Sequence, residues 1–294
     1  MSKFTINEEL LGQIETLQSI LKNNVAGMFG GNRQSKTFGS SCEFADYRDY
    51  LPGDDINKID WNAYARFDKL YQKLYYDERQ MHTRIYIDAS RSMIHGNEEK
   101  AEAVLKIAAT VAYLSIAEMD KVSIYAIHDN SVEEIIGGMV GKEAYLGTIG
   151  KLNDVEFYGD CAITDAILPT AVGRGDGYSV IISDFLTDEN YEGAIDHLVS
   201  KKRDVLCIQV LSSDELNPQF RGKMHLFDSE DAMKSYRKKI DKDIIKAYKA
   251  ALNFVTGRIE NYCQARGASY LLAPANATMA DIFFGKMVDL GVLK

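Results

Sequence analysis

Residues 85–93 read Ile85-Tyr86-Ile87-Asp88-Ala89-Ser90-Arg91-Ser92-Met93, and this stretch decides the fold of the chain. A short apolar run with strong β propensity ends at Asp88, and two serine hydroxyls follow at alternate positions. In an open α/β sheet, ligands bind at the carboxyl ends of the strands. A carboxylate and two hydroxyls in that place are hard oxygen ligands, suited to magnesium or another hard divalent cation. A strand followed by an ordinary capped turn would give the same pattern, because Asp and Ser also favour turns.

The rest of the chain supplies the alternation of strands and helices that such a sheet needs. Strands are predicted at 84–88, 121–127, 178–183, 204–210 and 269–272. Helices are predicted at 98–118, 143–151, 162–171, 190–201, 240–265 and 278–288. This alternation predicts an α/β fold with a doubly wound, mainly parallel sheet of the Rossmann type, covered by helices on both faces.

The N-terminal part of the chain follows a different rhythm. Leucines and isoleucines spaced by three and four predict an amphipathic helix over residues 5–25. Residues 35–79 are rich in Tyr, Asp and Arg and predict an irregular, partly β extension. We therefore expect residues 1–82 to form an N-terminal helix with a β extension, and residues 83–294 to form the sheet domain.

Composition and charge narrow the classes of function. Hydrophobic residues make up 46% and charged residues 26%, as in ordinary globular proteins, and the formal net charge of -9 argues against a general nucleic-acid binder. The four cysteines (Cys42, Cys161, Cys207 and Cys263) form no close pair, which favours a reducing compartment. No signal peptide is apparent, and no apolar run reaches the roughly 18 residues that cross a bilayer. These features predict a cytoplasmic protein without membrane insertion.

A second carboxylate is predicted to meet Asp88. The strand at 178–183 is followed directly by Asp184. The carboxyl ends of parallel strands lie at the same edge of a sheet, so the two carboxylates converge there. A helix N-cap or a turn would also explain an aspartate at this position. Its place after a buried strand favours a metal ligand that acts together with Asp88, Ser90 and Ser92.

A polar segment upstream carries a second group of motifs. Arg48-Asp49-Tyr50-Leu51-Pro52-Gly53-Asp54-Asp55 precedes Ile59-Asp60-Trp61 and Ala65-Arg66. The guanidinium groups suit fixed pairing with the carboxylates, which indicates a structural network that holds the extension to the sheet, with Trp61 as its apolar anchor. A partner-docking surface is the alternative. Acid–base catalysis by the adjacent carboxylates lacks a companion nucleophile or histidine.

Taken together, these motifs resemble those of the bacterial family called domain of unknown function (DUF) 58, whose members contain a von Willebrand A-like domain. The resemblance rests on the motifs at 48–55, 59–61, 65–66 and 88–93, and on Glu215-Leu216-Asn217-Pro218 and Leu226-Phe227-Asp228-Ser229-Glu230 near the C-terminus. It covers most of residues 26–294. It implies a non-enzymatic protein-interaction module that serves as adaptor or cofactor of a MoxR-type AAA ATPase in assembling or activating a client protein.

The von Willebrand A-like pattern also implies a metal-ion-dependent adhesion site. Asp-x-Ser-x-Ser at Asp88, Ser90 and Ser92 is its opening element, and Asp184 adds the second carboxylate. The implied cation is Mg²⁺ or another hard divalent ion such as Mn²⁺ or Ca²⁺.

The third loop of this site departs from the family pattern. The pattern Gly-x-Thr-x-Leu-x-x-Ala-Leu matches residues 159–167, where Cys161 takes the place of the threonine. A neutral thiol is a poor ligand for a hard cation. Asp160, a water or Thr164, which lies one helical turn further on, is left to complete the shell.

Three functions follow as expectations. The first is a metal-assisted adaptor, in which the cation at Asp88 leaves a coordination position for an acidic side chain of a partner. The second is a metal-independent scaffold, which the substitution at Cys161 favours. The third is a phosphate-ester hydrolase that uses Asp88, but Ser90 stands where such enzymes carry a second aspartate as general acid.

Overall fold

A six-stranded sheet forms the centre of the larger of two units into which the chain divides. The computed structural model describes residues 6–24, 35–38, 44–77, 81–94, 98–172, 177–186, 190–219, 222–227 and 235–285. The sheet unit comprises Met1–Gly30 with Met81–Lys294, and the small unit comprises Gly31–Gln80. The sequence-based division at residue 82 grouped the N-terminal helix with the extension, whereas that helix packs into the core of the sheet unit through its buried leucines and isoleucine.

The elements alternate along the sheet unit as the sequence predicts. The helices are α1 (Glu8–Asn24), α2 (Trp61–Phe67), α3 (Glu99–Ala117), α4 (Gly141–Thr148), α5 (Ile163–Ile167), α6 (Glu192–Ser200), α7 (Ser213–Leu216) and α8 (Lys242–Ala265). The strands are β1 (Ser35–Phe38), β2 (Phe44–Asp49), β3 (Tyr71–Asp77), β4 (His82–Asp88), β5 (Lys121–His128), β6 (Ser131–Met139), β7 (Tyr178–Ser183), β8 (Asp204–Leu211), β9 (Gly222–Phe227), β10 (Ser235–Ile240) and β11 (Ser269–Pro274).

The strand order of the central sheet is β11-β8-β7-β4-β5-β6. Every neighbouring pair is parallel except β5 with β6, which is antiparallel. From β4 the chain moves to β5 on one side, and from β7 it moves away through β8 to β11 on the other. The predicted α/β fold with a doubly wound, mainly parallel sheet is therefore confirmed. The point where the winding reverses lies between β4 and β7, and this is where such sheets bind ligands.

Both faces of the parallel strands are buried, which explains why these strands are apolar without alternation. In β4, Ile85 and Ile87 belong to the core under α1, α3 and α4, while Tyr86 belongs to the core under α5, α6 and α8. The other parallel strands divide in the same way. Because both cores draw on these strands, the strand ends that carry polar residues are held in fixed positions.

Sequence reasoning missed the antiparallel edge strand β6 and the hairpin of β9 with β10. Strand β6 lies at the edge of the sheet and exposes Glu133 and Glu134, so it lacks the apolar run that marks a buried strand. Helix α5 is shorter than the predicted 162–171. The helix predicted at 278–288 is represented by a helical turn at Asp281–Gly285, and its last three residues lie outside the described residues.

The small unit contains a three-stranded antiparallel sheet of order β1-β3-β2, which confirms the partly β character predicted for residues 35–79. Asp60 begins α2, since its Oδ1 accepts hydrogen bonds from the backbone N–H groups of Asn62 at 2.9 Å and Ala63 at 3.2 Å. Asp68 ends the helix in the left-handed region at φ 52°.

Candidate functional site

Asp88 lies at the carboxyl end of β4, beside the end of β7. Its Oδ1 accepts a hydrogen bond from the backbone N–H of Ser90 at 2.9 Å, and its Oδ2 accepts one from the hydroxyl of Ser183 at 2.6 Å. Only 2% of the residue is exposed. The parallel register, in which Ile87 faces Ile182, sets this second contact, because it places the last residues of the two strands side by side.

The two predicted serines extend the site from Asp88 toward Asp184. The hydroxyls of Ser90 and Ser92 lie 3.0 Å apart, and the hydroxyl of Ser92 donates to Asp184 Oδ2 at 3.2 Å. A short 3₁₀ turn over Arg91–Ile94 folds the loop so that the alternate hydroxyls face the same way. The structure therefore brings together four of the five predicted site residues.

Asp184 is held by a tight turn after β7. Its Oδ1 accepts a hydrogen bond from the backbone N–H of Leu186 at 3.0 Å, and the amide of Gln209 donates to its backbone carbonyl at 2.6 Å. The next residue, Phe185, adopts a left-handed conformation at φ 50°, and its ring is buried against Tyr191. A non-glycine residue in that conformation is uncommon, and its packing shows what stabilises it here.

Lys100, which sequence reasoning missed, completes the site. Its Nζ lies 2.8 Å from Asp184 Oδ2 and 2.7 Å from Glu215 Oε1. The side chains of Lys100 and Asp184 are 5% and 6% exposed. The spacing of residues in α3 could have indicated that Lys100 is buried. Lys100 lies one helical turn before Ala103 and Val104, on the same buried face of the helix. A lysine on such a face requires a buried partner.

The charges of these groups act on one another. Burial raises the pKa of Asp88, the negative charge of Asp184 raises it further, and hydrogen bonds from Ser183 and Ser90 act in the opposite direction. Burial alone would lower the pKa of Lys100, but the carboxylates of Asp184 and Glu215 outweigh it and the net pKa is raised. The lysine is therefore an ammonium ion at neutral pH.

Backbone hydrogen bonds join the loop that contains Gly159 to the loop that follows Asp88. The N–H of Tyr158 donates to the carbonyl of Ala89 at 2.9 Å, and the N–H of Arg91 donates to the carbonyl of Gly159 at 3.0 Å. Gly159 has φ +67°, and a Cβ atom there would lie 2.4 Å from a carboxylate oxygen of Asp129. Only glycine fits this position without displacing its neighbour.

Thr164, the third-loop residue predicted as a ligand, contacts α6, and Asp160 is exposed. The hydroxyl of Thr164 accepts a hydrogen bond from the backbone N–H of Ala194 at 3.0 Å, which ties α5 to the start of α6. Cys161 is buried and pairs with Asp129 in an isolated parallel β-bridge. Within the described residues, no three His, Cys, Asp or Glu side chains are grouped in a way that could hold a metal ion.

The upstream motifs form a separate network inside the small unit. Arg48 donates from the same nitrogen to Asp54 at 2.7 Å and to Gln72 at 2.8 Å, so the predicted arginine–carboxylate pairing is present for Arg48. The expectation that Trp61 serves as an apolar anchor is wrong, because 58% of its surface is exposed. Its indole instead meets the ring of Tyr64 edge-on, with centroids 6.2 Å apart.

A cavity of about 530 Å³ opens beside helix α2. It is lined by Tyr47, Asp60, Asn62, Ala63, Arg66, Phe67 and Tyr71. The carboxylate of Asp60 is held by hydrogen bonds from Tyr47, Asn62 and Ala63. A hydrogen bond from the hydroxyl of Tyr47 at 2.7 Å is the main cause that lowers the pKa of the Asp60 carboxyl to about 2, and Lys73 adds to the effect.

Comparison with known proteins identifies sequence relatives. The sequence model of a family described as protein of unknown function DUF58 matches residues 46–254. An uncharacterized protein of Mycobacterium tuberculosis is 25% identical over 232 residues, which cover 76% of this chain and 72% of the relative.

Two solved structures are also similar in part. One is an aerotolerance-related membrane protein of Bacteroides fragilis, 15% identical, which covers 71% of this chain and 99% of its own with a TM-score of 0.39. The other is the VWA domain of SpRpn10, 13% identical, which covers 68% of this chain and 92% of its own with a TM-score of 0.37. In this chain, no helix among the described residues is both long and apolar enough to span a bilayer.

Proposed function

We propose, on the premise that this chain belongs to the DUF58 family of proteins of unknown function, that it is a non-enzymatic adaptor of a MoxR-type AAA ATPase acting on a client protein. The observation that carries the proposal is the meeting of Asp88, Ser92 and Asp184 at the point where the winding of the sheet reverses. Ligands of α/β sheets bind at such a point. Arg91, exposed on the same loop, gives a partner a charged contact at this edge.

The buried state of Asp88 argues against the alternative of a phosphate-ester hydrolase. A nucleophilic carboxylate must approach the phosphorus atom closely. Both oxygens of Asp88 already accept hydrogen bonds, from Ser90 and Ser183, and the residue is almost fully enclosed. Ser90 stands where a general acid is needed. These features favour a binding role for the loop.

The donor set does not fit the divalent cation that the family pattern implies at Asp88, Ser90, Ser92 and Asp184. A resident Mg²⁺ ion would need an oxygen of Asp184, and the ammonium of Lys100 already lies 2.8 Å from Oδ2 of that residue. The sequence predicts a metal-assisted adaptor or a metal-independent scaffold, and this arrangement favours an interaction that does not depend on a metal ion.

The small unit supports the docking interpretation of the upstream motifs. Trp61, Tyr64 and Phe67 recur every third residue along α2, and each is exposed by more than a third of its surface. Exposed aromatic side chains grouped in this way are typical of a surface that contacts another protein. We propose the cytoplasm as the setting, in line with Cys161, Cys207 and Cys263, none of which is in a disulfide.

The test measures binding to the MoxR-type ATPase of the same bacterium. Arg91→Glu reverses a charge at the proposed contact edge without disturbing a buried residue, and we expect it to weaken binding about tenfold, or by about 1.4 kcal/mol. Biolayer interferometry with the immobilised ATPase gives the affinities.

Lys202→Glu is the matched control. Lys202 is exposed in the loop that precedes β8, at the amino ends of the parallel strands, and its charge reversal is expected to change affinity by less than about twofold. Equal affinity of Arg91→Glu and the wild type would contradict the proposed edge. A wild-type protein that does not bind the ATPase would contradict the adaptor role.

A further inference from the structure

We propose that the ammonium group of Lys100 is the resident cation of this site and takes the part that the family pattern gives to a divalent metal. The inference rests on the proposed function in treating this edge as the contact site. It adds the chemical identity of the positive charge on which the edge depends.

The position of Lys100 is the first support. The lysine extends from the first turn of α3 and places its Nζ between two carboxylates, Asp184 at 2.8 Å and Glu215 at 2.7 Å. These carboxylates come from two different segments, Asp184 from the turn after β7 and Glu215 from the short helix α7 after β8. A buried charge persists only when it is paired and hydrogen-bonded, and both conditions are met here.

Glu215 is fixed independently of the lysine. It forms a capping box with Ser212, in which Glu215 Oε2 accepts from the backbone N–H of Ser212 at 2.7 Å and the hydroxyl of Ser212 accepts from the backbone N–H of Glu215 at 3.2 Å. The remaining oxygen, Oε1, is the one that meets Lys100. The second carboxylate is thus oriented toward the ammonium before any partner binds.

The carboxylate oxygens are occupied in a way that favours the lysine over a metal. Asp184 Oδ1 accepts from a backbone N–H, and its Oδ2 accepts from both Ser92 and Lys100. Asp88 accepts at both of its oxygens. A divalent ion bonded to Asp184 Oδ2 would lie against the ammonium in a water-poor environment, where like charges repel strongly. One cation excludes the other.

The inference has a direct consequence for the variant Lys100→Met. Methionine keeps an unbranched chain of similar length but removes the charge. The carboxylates of Asp184 and Glu215 then lack a cation between them, next to the hydroxyl of Ser92. An oxygen set of this kind suits Mn²⁺ and Mg²⁺. We expect the variant to gain a metal site that the wild type lacks.

The experiment titrates Mn²⁺ into the full chain and follows the free ion by electron paramagnetic resonance. The wild type is expected to show no saturable binding below about 1 mM, and Lys100→Met is expected to bind at least about tenfold more tightly. Lys106→Met is the matched control, because Lys106 lies on the same helix and pairs with Glu102 at the exposed surface. It should behave as the wild type does.

Three results of the Mn²⁺ titration would overturn the inference. They are saturable Mn²⁺ binding by the wild type that is lost in Asp184→Asn, a folded Lys100→Met protein without increased binding, and an equal gain in Lys106→Met. If Lys100→Met does not fold, the wild type still decides. Its thermal midpoint should be the same in EDTA and in about 10 mM Mg²⁺, and a rise in Mg²⁺ that is absent from Asp184→Asn would refute the proposal. Failure of the ATPase to bind leaves these readings unchanged.

Discussion

Helix α3 buries its apolar residues, whereas helix α2 exposes them. Fifteen of the nineteen residues of α3 are buried, among them Lys100, whereas none of the seven residues of α2 is buried although three of them are aromatic. Burial in α3 contributes to the stability of the sheet unit. The aromatic rings of α2 contribute little to folding, so their presence at the surface is explained more readily by contact with another molecule.

The largest expected effect is on stability. Ile107→Ala removes a fully buried side chain of α3 and should lower the free energy of unfolding by about 3 kcal/mol, whereas Phe67→Ala on α2 should change it by less than about 0.5 kcal/mol. Urea unfolding followed by circular dichroism measures both. Trp61, the single tryptophan, reports on the small unit by fluorescence. A loss in Phe67→Ala as large as in Ile107→Ala would break the contrast between the helices.

Removing an ion pair should likewise cost more stability in the sheet unit than in the small unit. Asp184→Asn removes one of the two carboxylates around a buried lysine, and we expect a loss of about 3 kcal/mol. Asp54→Asn removes the partner of Arg48 in an exposed pair, and the fluorescence-detected unfolding midpoint should be unchanged. Equal losses in the two variants would show that the pair in the small unit is structural.

Acid should affect the two units in separate pH ranges. Burial, with the charges of Arg84, Lys121 and Arg203, lowers the pKa of His82 from 6.5 to about 4. The unfolded chain binds the proton first, so this contribution to stability is complete above pH 6.5 and is lost as the pH falls toward 4. Asp60 contributes in the small unit, where its pKa falls from 3.8 to about 2, and its contribution is lost only within that lower range.

His82→Gln tests the difference between the ranges. The variant should lose the part of the pH dependence between 6.5 and 4 that circular dichroism records for the sheet unit, with Trp61 fluorescence unchanged. A variant whose stability falls with pH as steeply as that of the wild type would refute the role of His82.

The sequence predicts the sheet better than it predicts the site. All five strands expected from apolar runs are present, because a parallel strand buried on both faces is apolar throughout. The meeting of Asp88 with Asp184 could also be predicted, since it depends only on where neighbouring strands end. The contacts of Thr164 and Lys100 could not be predicted from the sequence. Their partners are set by tertiary packing, and Ala194 and Glu215 lie 30 and 115 residues away from them in the chain.

The edge strand β6 has a consequence for self-association. It ends the sheet with an antiparallel strand on which Glu133 and Glu134 are exposed. A second copy that paired its own β6 with this strand would bring Glu133 and Glu134 close to the same two acidic residues of the other copy. That repulsion disfavours chains of molecules joined through this edge. A sheet bounded in this way stays unassociated through this edge at concentrations where open-edged sheets would polymerise.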